Sequence, residues 1–365
     1  MEKRKNAMVV LLPAAFLLVF LLWGLLKPDA DISRSERRKL AQKPELTAAS
    51  VWSGSFMSEF ETYTLDQFPL RERFRQLRAL TATGLLGQKD SHGIYLADGY
   101  AAKLDYPLDN DSVQHAVSRF QKVYDSYLAG TNVKIYSAVI PDKGQYLARE
   151  NGYPAMDFAA LQTAVQQSMP YAAYIDLTPV LGLDCFYKTD LHWRQEALLP
   201  AAELLADSMG VTLTQSYETV ASDTPFYGVY SGQSALPMQP DTLYYLTNKT
   251  LQACTVYDYE TGTEGPVYAL EELKGEDPYA VFLSGSRALL TITNPSAEGS
   301  RELVIFRDSF GSSLAPLLIE GYAKITLVDI RYLPPERLGN WLSFEDQDVL
   351  FLYSASVLNN SETIK

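Results

Sequence analysis

The N-terminal segment constrains this chain most, because it contains an apolar run long enough to cross a membrane. Residues 7–26 ("AMVVLLPAAFLLVFLLWGLL") carry no charge, and twenty helical residues at about 1.5 Å each match a hydrocarbon core of roughly 30 Å. Lys3, Arg4 and Lys5 precede the run, and basic residues beside a membrane helix are typically retained in the cytoplasm. The sequence therefore predicts a cytoplasmic tail over residues 1–6, a transmembrane anchor over residues 7–26, and an extracytoplasmic remainder.

A cleaved signal peptide is the alternative interpretation of this run. The apolar region of a signal peptide is normally shorter, and a small-residue cleavage site normally follows it. Here the run is followed by "KPDADIS", and no cysteine lies near it, which argues against a bacterial lipoprotein. Because no second long apolar run follows, we expect a single-pass protein of the cell membrane.

Charge and cysteine content narrow the possible functions. The 365 residues contain 31 Lys and Arg against 44 Asp and Glu, a formal net charge of -13. This charge argues against a nucleic-acid-binding protein, because a phosphate backbone attracts a basic surface. Cys185 and Cys254 are the only cysteines, and they either form one disulfide outside the membrane or remain free. Three scattered histidines make a poor zinc site, so we expect neither a metal nor another cofactor.

The chain after the anchor divides into a polar start and a longer α/β region. Residues 27–88 begin as a charged, proline-containing stalk and continue as two helical stretches. The segment "GIYLADGYAAKL" predicts a hairpin that turns at Asp98-Gly99. We assign residues 89–365 to one α/β domain.

Apolar strands alternate with helices through most of this domain. Four runs predict strands covered on both faces: "VKIYSAVIP" (133–141), "ELVIF" (302–306), "AKITLVDI" (323–330) and "QDVLFLYS" (347–354). Such alternation predicts a mostly parallel sheet flanked by helices, in which ligands bind at the carboxyl ends of the strands. Residues 211–300 interrupt the pattern with short Thr- and Tyr-rich runs, which are typical of an antiparallel β-rich insertion.

The segment "TDLHW" contains the first candidate site, Asp190 and His192. In an extended segment, residues i and i+2 point to the same side, so the Asp190 carboxylate could fix the tautomer of His192 and leave its other nitrogen as a base. Aspartate is also a preferred helix N-cap, and His192 could be a half-buried structural ring. On this motif alone both interpretations stay open.

The second candidate is Ser309, within "ELVIFRDSFGSSLAPLL". A serine at a strand-to-helix turn exposes its hydroxyl above the sheet, where backbone amides at the helix N-terminus can stabilise an oxyanion. Ser309 or Asp308 could equally be a simple N-cap. A hydroxyl nucleophile needs a base, and the base needs an orienting group. Ser309, His192 and Asp190 together supply all three.

"TDLHW" resembles the DHHW signature of the SGNH-hydrolase-like proteins that include the alginate O-acetylation group (AlgX/AlgJ-like). The segments "IPDKGQYL", "VFLSGSRALLTITN" and "LVIFRDSFGSSLAPLL" are similar to other parts of that family, and the resemblance covers most of the region after the anchor. It implies an SGNH-hydrolase-like α/β fold, with Ser309 as nucleophile, His192 as base and Asp190 as its orienter.

The implied activity is transfer or hydrolysis of an acetyl ester on an extracytoplasmic polysaccharide of a bacterial cell envelope. The implied partner is a membrane-bound O-acyltransferase that donates the acyl group. A non-catalytic glycan-binding or scaffolding subunit of a polysaccharide modification or export assembly is the alternative, in which the fold is kept and the site has decayed.

The chain departs from the family pattern at two places. Leu191 replaces the second position of the DHHW tetrad, a change of little consequence because Asp190, His192 and Trp193 remain. Where relatives tend to carry Gly-x-Asn, this chain has Gly285-Ser286-Arg287, and a missing oxyanion donor can cost about 3 kcal/mol.

Five residues are predicted to contact the oxyanion or the substrate: Ser286, Gly285, Arg287, Lys143 and Trp193. Lys143 follows a predicted strand and could bind a carboxylated or phosphorylated sugar. It could equally be an ordinary lysine of a surface turn.

Overall fold

The computed structural model describes residues 2–365, except for the side chain of Lys3. Its helices are α1 (Glu2–Leu26), α2 (Ala48–Ser53), α3 (Ser55–Asp66), α4 (Arg71–Leu80), α5 (Asn110–Val123), α6 (Gly144–Leu147), α7 (Phe158–Ser168), α8 (Leu199–Ser208), α9 (Val229–Ser234), α10 (Lys249–Ala253), α11 (Gly311–Leu318) and α12 (Ala355–Asn359). Its strands are β1 (Ile32–Ser33), β2 (Arg38–Lys39), β3 (Ile94–Ala97), β4 (Tyr100–Lys103), β5 (Lys134–Ile140), β6 (Ala173–Tyr174), β7 (Glu218–Phe226), β8 (Asp241–Thr247), β9 (Thr255–Asp258), β10 (Thr263–Gly265), β11 (Leu289–Thr293), β12 (Glu302–Arg307), β13 (Lys324–Val328) and β14 (Asp348–Ser354).

The chain forms two compact units. The first comprises the residues up to His92 together with Ser231–Pro237, and the second comprises Gly93–Tyr230 with Met238–Lys365. Within the described residues, α1 is the one helix whose length and apolar composition would let it cross a membrane. A signal sequence has the same properties. The domain boundaries inferred from the sequence stay predictions.

The second unit is built on an eight-stranded sheet with the strand order β10-β9-β11-β13-β12-β14-β5-β6. The five strands from β13 to β6 are parallel to one another, whereas β11, β9 and β10 pair antiparallel at the other side. The predicted fold class, an α/β sheet flanked by helices with an antiparallel region, is confirmed.

The antiparallel region inferred over residues 211–300 contains five strands. Three of them, β9, β10 and β11, extend the central sheet rather than standing apart from it. The other two, β7 and β8, pair with each other in a separate two-stranded sheet.

Both faces of the central sheet are covered, because alternate residues of its strands point to opposite sides. Leu303 and Ile305 of β12 pack with α8 and α11 in one apolar cluster. Val304 and Phe306 pack with α5 and α7 in another. This two-sided burial explains why the sequence of β12 is continuously apolar.

The carboxyl ends of β12 and β14 are tied together by Asp308, whose side chain is fully buried. One of its carboxylate oxygens accepts the amide of Phe310 at 3.0 Å, and the other accepts the amide of Ser354 at 2.8 Å. The turn that carries Ser309 is therefore fixed at the edge of the sheet where parallel strands end.

In the first unit, Asp66 at the end of α3 binds the β1–β2 segment. Its carboxylate accepts two hydrogen bonds from the guanidinium of Arg38, at 2.8 and 2.6 Å, and one from the amide of Ala41. The hydrogen bonds from Arg38 lower the pKa of Asp66 to about 2. The carboxylate is therefore ionised at neutral pH and attaches α3 to the β1–β2 segment.

Candidate active site

Ser309 lies in the turn between β12 and α11. It is partly exposed, whereas Asp308 and Phe310 on either side are buried. Its backbone amide donates no hydrogen bond within residues 2–365. Because the neighbouring side chains are fixed inside the fold, the turn presents a hydroxyl and a free amide on the same residue. A free amide beside a nucleophile is the kind of donor that an oxyanion requires.

His192 is held on a short antiparallel segment that returns toward Ser309. Phe186 and Trp193 form a β-bridge, and the amide of Tyr187 donates to the carbonyl of His192 at 3.1 Å. His192 Nε2 lies 2.8 Å from Ser309 Oγ. The two residues are far apart in the sequence, so the fold itself creates this contact.

Asp190 lies on the other side of the imidazole. His192 Nδ1 lies 2.6 Å from Asp190 Oδ1, which also accepts the amide of His192 at 3.1 Å. Asp190 Oδ2 accepts the amide of Val229 at 2.8 Å, and the residue is fully buried. A proton on Nδ1 shared with the carboxylate leaves Nε2 free to accept the Ser309 proton.

The helix-cap interpretation of Asp190 is wrong for the helix that follows it. The 3-10 turn Gln195–Ala197 comes next, and its N-cap Arg194 makes no side-chain cap hydrogen bond. The helix α8 begins only at Leu199. The carboxylate instead forms hydrogen bonds with the His192 ring and with the amide of Val229, which lies at the start of α9.

Sequence reasoning did not identify Tyr279, which stacks on the imidazole of His192. The two ring centroids are 3.8 Å apart and the rings are nearly parallel, at 10°. The Tyr279 hydroxyl lies 2.8 Å from Ser313 Oγ, and burial raises its pKa well above the ordinary value. Tyr279 belongs to a 3-10 turn in the Tyr-rich region, where one more tyrosine carries no signal of its own.

Trp193 lies behind the site rather than in it. Its side chain is fully buried, and its indole N–H donates to the carbonyl of Phe310 at 3.1 Å and to Ser313 Oγ at 2.8 Å. The described contacts give it a supporting position. Ser313 therefore links Trp193 to Tyr279, the ring that stacks on His192.

Lys143 is also inside the fold, with 2% of its surface exposed. Its ammonium donates to the carbonyls of Tyr187 at 2.9 Å and of Asp190 at 2.6 Å. Burial lowers its pKa to about 8. These contacts hold the backbone of the Asp190 segment in place. Lys143 is therefore not a surface lysine that could bind a sugar.

The predicted oxyanion segment Gly285-Ser286-Arg287 follows a strained turn. Leu283, Ser284 and Gly285 have φ angles of 56°, 57° and 79°, and non-glycine residues in this region cost on the order of 1–3 kcal/mol each. Ser286 is exposed and makes no hydrogen bond among the described residues. Its predicted role as an oxyanion donor therefore stays a prediction that these contacts do not support.

Arg287 is engaged on both its side chain and its backbone. Its guanidinium pairs with Asp258 at 3.0 Å. Its carbonyl accepts from the buried guanidinium of Arg307 at 3.4 Å. Arg307 precedes Ser309 by two residues, so the strained turn and the Ser309 turn share one buried cation.

The two cysteines are buried and free, so the disulfide considered from the sequence does not form in this structure. Residues 2–365 contain no group of three or more His, Cys, Asp or Glu side chains that could hold a metal ion.

No family model matches this chain, and no curated protein matches its sequence. Solved structures do match it. A DHHW family protein from Eubacterium siraeum has a TM-score of 0.60 and 21% identity, and the match covers 75% of this chain and 95% of that one. Bacillus cereus PatB1, solved with a sulfonyl adduct, has a TM-score of 0.55 and 17% identity, over 73% of this chain and 95% of PatB1. The O-acetyltransferase domain of Pseudomonas putida AlgJ is more distant, with a TM-score of 0.45 and 14% identity.

The fold is that of an SGNH-hydrolase-like protein. The similar structures include a protein of the DHHW family, and this fits the family that the segment "TDLHW" resembles. At these identities the likeness is one of fold.

Proposed function

We propose that the protein is a membrane-anchored serine acyltransferase or esterase that acts on O-acetyl groups of an extracytoplasmic polysaccharide. The observation that carries the proposal is the alignment of Asp190, His192 and Ser309 through contacts of 2.6 and 2.8 Å. A hydroxyl, an imidazole and a carboxylate in this order form the arrangement that activates a serine for attack on an ester.

The reaction follows from these three groups. Ser309 Oγ attacks the carbonyl carbon of an acetyl ester while His192 Nε2 takes the hydroxyl proton, and Asp190 stabilises the resulting imidazolium. The tetrahedral oxyanion is met by backbone amides such as that of Ser309. His192 then gives its proton to the leaving oxygen, and an acetyl-serine remains. Either a sugar hydroxyl or water attacks the acetyl-serine, which completes transfer or hydrolysis.

The substrate class and the compartment rest on other support. The DHHW resemblance implies an O-acetylated polysaccharide and a membrane-bound O-acyltransferase as donor. The apolar helix α1, preceded by basic residues, supports an anchor with the second unit outside the cell membrane. The alternative, a non-catalytic glycan-binding or scaffolding subunit, is favoured by one observation, the exposed Ser286 in place of an amide donor.

A sulfonyl fluoride or fluorophosphonate probe tests the proposal, because both react with an activated serine. Bacillus cereus PatB1 has been solved with a sulfonyl adduct. We expect one covalent adduct on Ser309, identified by peptide mass spectrometry, and turnover of p-nitrophenyl acetate. Ser309→Ala should abolish both at unchanged melting temperature, and His192→Ala should abolish both while circular dichroism shows that the variant remains folded.

Ser208→Ala is the matched control, because Ser208 is an exposed serine of α8. This variant should react as the wild type does. A wild-type chain that gives neither adduct nor turnover, yet binds glycan, would contradict the enzyme and support the scaffold. A sugar acceptor that accelerates release of acetyl from Ser309 would identify transfer rather than hydrolysis.

A further inference from the structure

The helix α4 is amphipathic, but its apolar side faces outward. Phe74, Leu77 and Leu80 recur at intervals of three and so share one side of the helix. They are 37%, 60% and 49% exposed. The apolar surface continues beyond the helix at Leu85 and Leu86, which are 79% and 68% exposed. A helix in a water-soluble unit normally buries such a side.

The opposite side of α4 is charged and attaches the helix to its own unit. Arg71 and Arg75 form ion pairs with Glu36 at 2.6 and 3.2 Å, and all three side chains are largely buried. Arg75 also donates to the carbonyls of Gly232 and Gln233. The helix is therefore held by its charged side, and this leaves the apolar side free for another contact.

The apolar side is continuous with α1, the helix that would cross the membrane. The ring of Phe20 in α1 stacks on Phe68 at 5.3 Å and meets Phe74 edge-on at 5.6 Å. Phe20 lies six residues before the end of α1, about 9 Å along the helix axis. That depth corresponds to the boundary between acyl chains and headgroups, where interfacial helices bury their apolar side by about 5–10 Å.

The charges around this surface suit lipid phosphates. Arg78 borders the apolar side of α4, whereas Arg73 projects from within it, and both are exposed. Residues 27–92 contain 11 Lys and Arg against 9 Asp and Glu, whereas residues 93–365 contain 17 against 34. Basic residues that border an apolar helical side are typical of helices lying on a membrane surface.

We propose that α4 and the turn after it lie on the outer surface of the membrane that α1 crosses. Phe74, Leu77 and Leu80 enter the boundary between acyl chains and headgroups, and Arg73 and Arg78 contact the lipid phosphates. The inference rests on the membrane anchor proposed above and is independent of the acyl chemistry.

Spin labels on single introduced cysteines test this contact in the full chain. Leu77→Cys reports the apolar side of α4, Gln76→Cys is the control on an exposed polar position of the same helix, and Leu22→Cys reports the anchor. The labelled wild type gives the background from the two buried native thiols. Each variant is reconstituted in vesicles of phosphatidylcholine and phosphatidylglycerol without other protein, after circular dichroism has confirmed its fold.

The collision rate of each spin label with oxygen, which partitions into lipid, is compared with its collision rate with a water-soluble nickel chelate. We expect the oxygen-to-nickel ratio at Leu77→Cys to exceed that at Gln76→Cys at least fivefold and to approach that at Leu22→Cys. Equal ratios at positions 76 and 77, with Leu22→Cys in lipid, would overturn the surface contact and leave the anchor intact; a membrane-embedded protein would then cover α4. A water-accessible Leu22→Cys would overturn the anchor and the surface contact together.

Discussion

Replacement of Tyr279 separates the role of its ring from the role of its hydroxyl. Tyr279→Phe keeps a ring stacked on His192 and removes only the 2.8 Å contact with Ser313. Tyr279→Leu removes the ring and leaves one face of the imidazole without its neighbour. Both variants lose the Tyr279 hydroxyl, but only Tyr279→Leu also loses the ring contact with His192.

The magnitudes follow from these contacts. Losing the hydroxyl contact should cost about 1 kcal/mol of folding stability, and Ser313 keeps the indole N–H of Trp193 as a partner. Truncating the buried ring to leucine should cost roughly 2–4 kcal/mol. An aromatic pair contributes about 0.5–1.5 kcal/mol beyond burial. If that energy holds the imidazole in its reactive orientation, its loss lowers kcat by roughly 2- to 13-fold.

The assay is turnover of p-nitrophenyl acetate. Melting temperatures are measured for both variants, and rates are taken well below the lower of the two melting temperatures. We expect Tyr279→Phe to keep kcat within about twofold of wild type. Tyr279→Leu should lose kcat with little change in KM, because the ring acts on the base and not on the substrate. Equal kcat values for the two variants would refute a role for the stacked ring. A large rise in KM for Tyr279→Leu alone would place Tyr279 in the substrate site instead.

Two further predictions follow from single residues. Ser286→Ala should keep kcat within about twofold and change stability by under ~0.5 kcal/mol, because Ser286 is exposed and unbonded; a hundredfold loss of kcat would instead make Ser286 an oxyanion donor. Burial raises the pKa of Asp142 to about 6, so the folded chain binds the carboxyl proton more tightly than the unfolded chain does. The protonated carboxyl therefore stabilises the fold at low pH, and this stabilisation is lost as the pH rises from about 4 through 6. Asp142→Asn, which can still accept the Gly144 amide, should therefore gain about 1–2 kcal/mol relative to wild type between pH 4 and pH 7.5. Thermal unfolding at both pH values measures this gain, and a pH-independent difference would contradict it.

The strands of the sheet were predictable because burial on both faces leaves a continuous apolar run. "VKIYSAVIP" and "QDVLFLYS" correspond to β5 and β14, which pair in parallel. The hairpin at Asp98-Gly99 was predictable for a local reason. Both residues have positive φ, as a two-residue hairpin turn requires.

Two rules predicted the grouping of Asp190, His192 and Ser309. Residues i and i+2 of an extended segment point to the same side, and a serine that follows a parallel strand lies at the edge of the sheet where ligands bind. The distances among these three residues could not be predicted, because they depend on how Asp308 ties two strand ends together. The stacking of Tyr279 on His192 and the burial of Lys143 could not be predicted from the sequence either. A tyrosine in a Tyr-rich region and a lysine in a turn have the same sequence signature whether they are buried or exposed.

The central sheet ends in very short strands on both sides. At one edge β6 has two residues, and at the other β10 has three. Long unpaired edges invite strand addition from another chain, so these two edges offer little backbone for a neighbouring copy to pair with. The short edges thereby protect the protein from edge-to-edge aggregation, and extending either strand by a few β-branched residues should promote such aggregation.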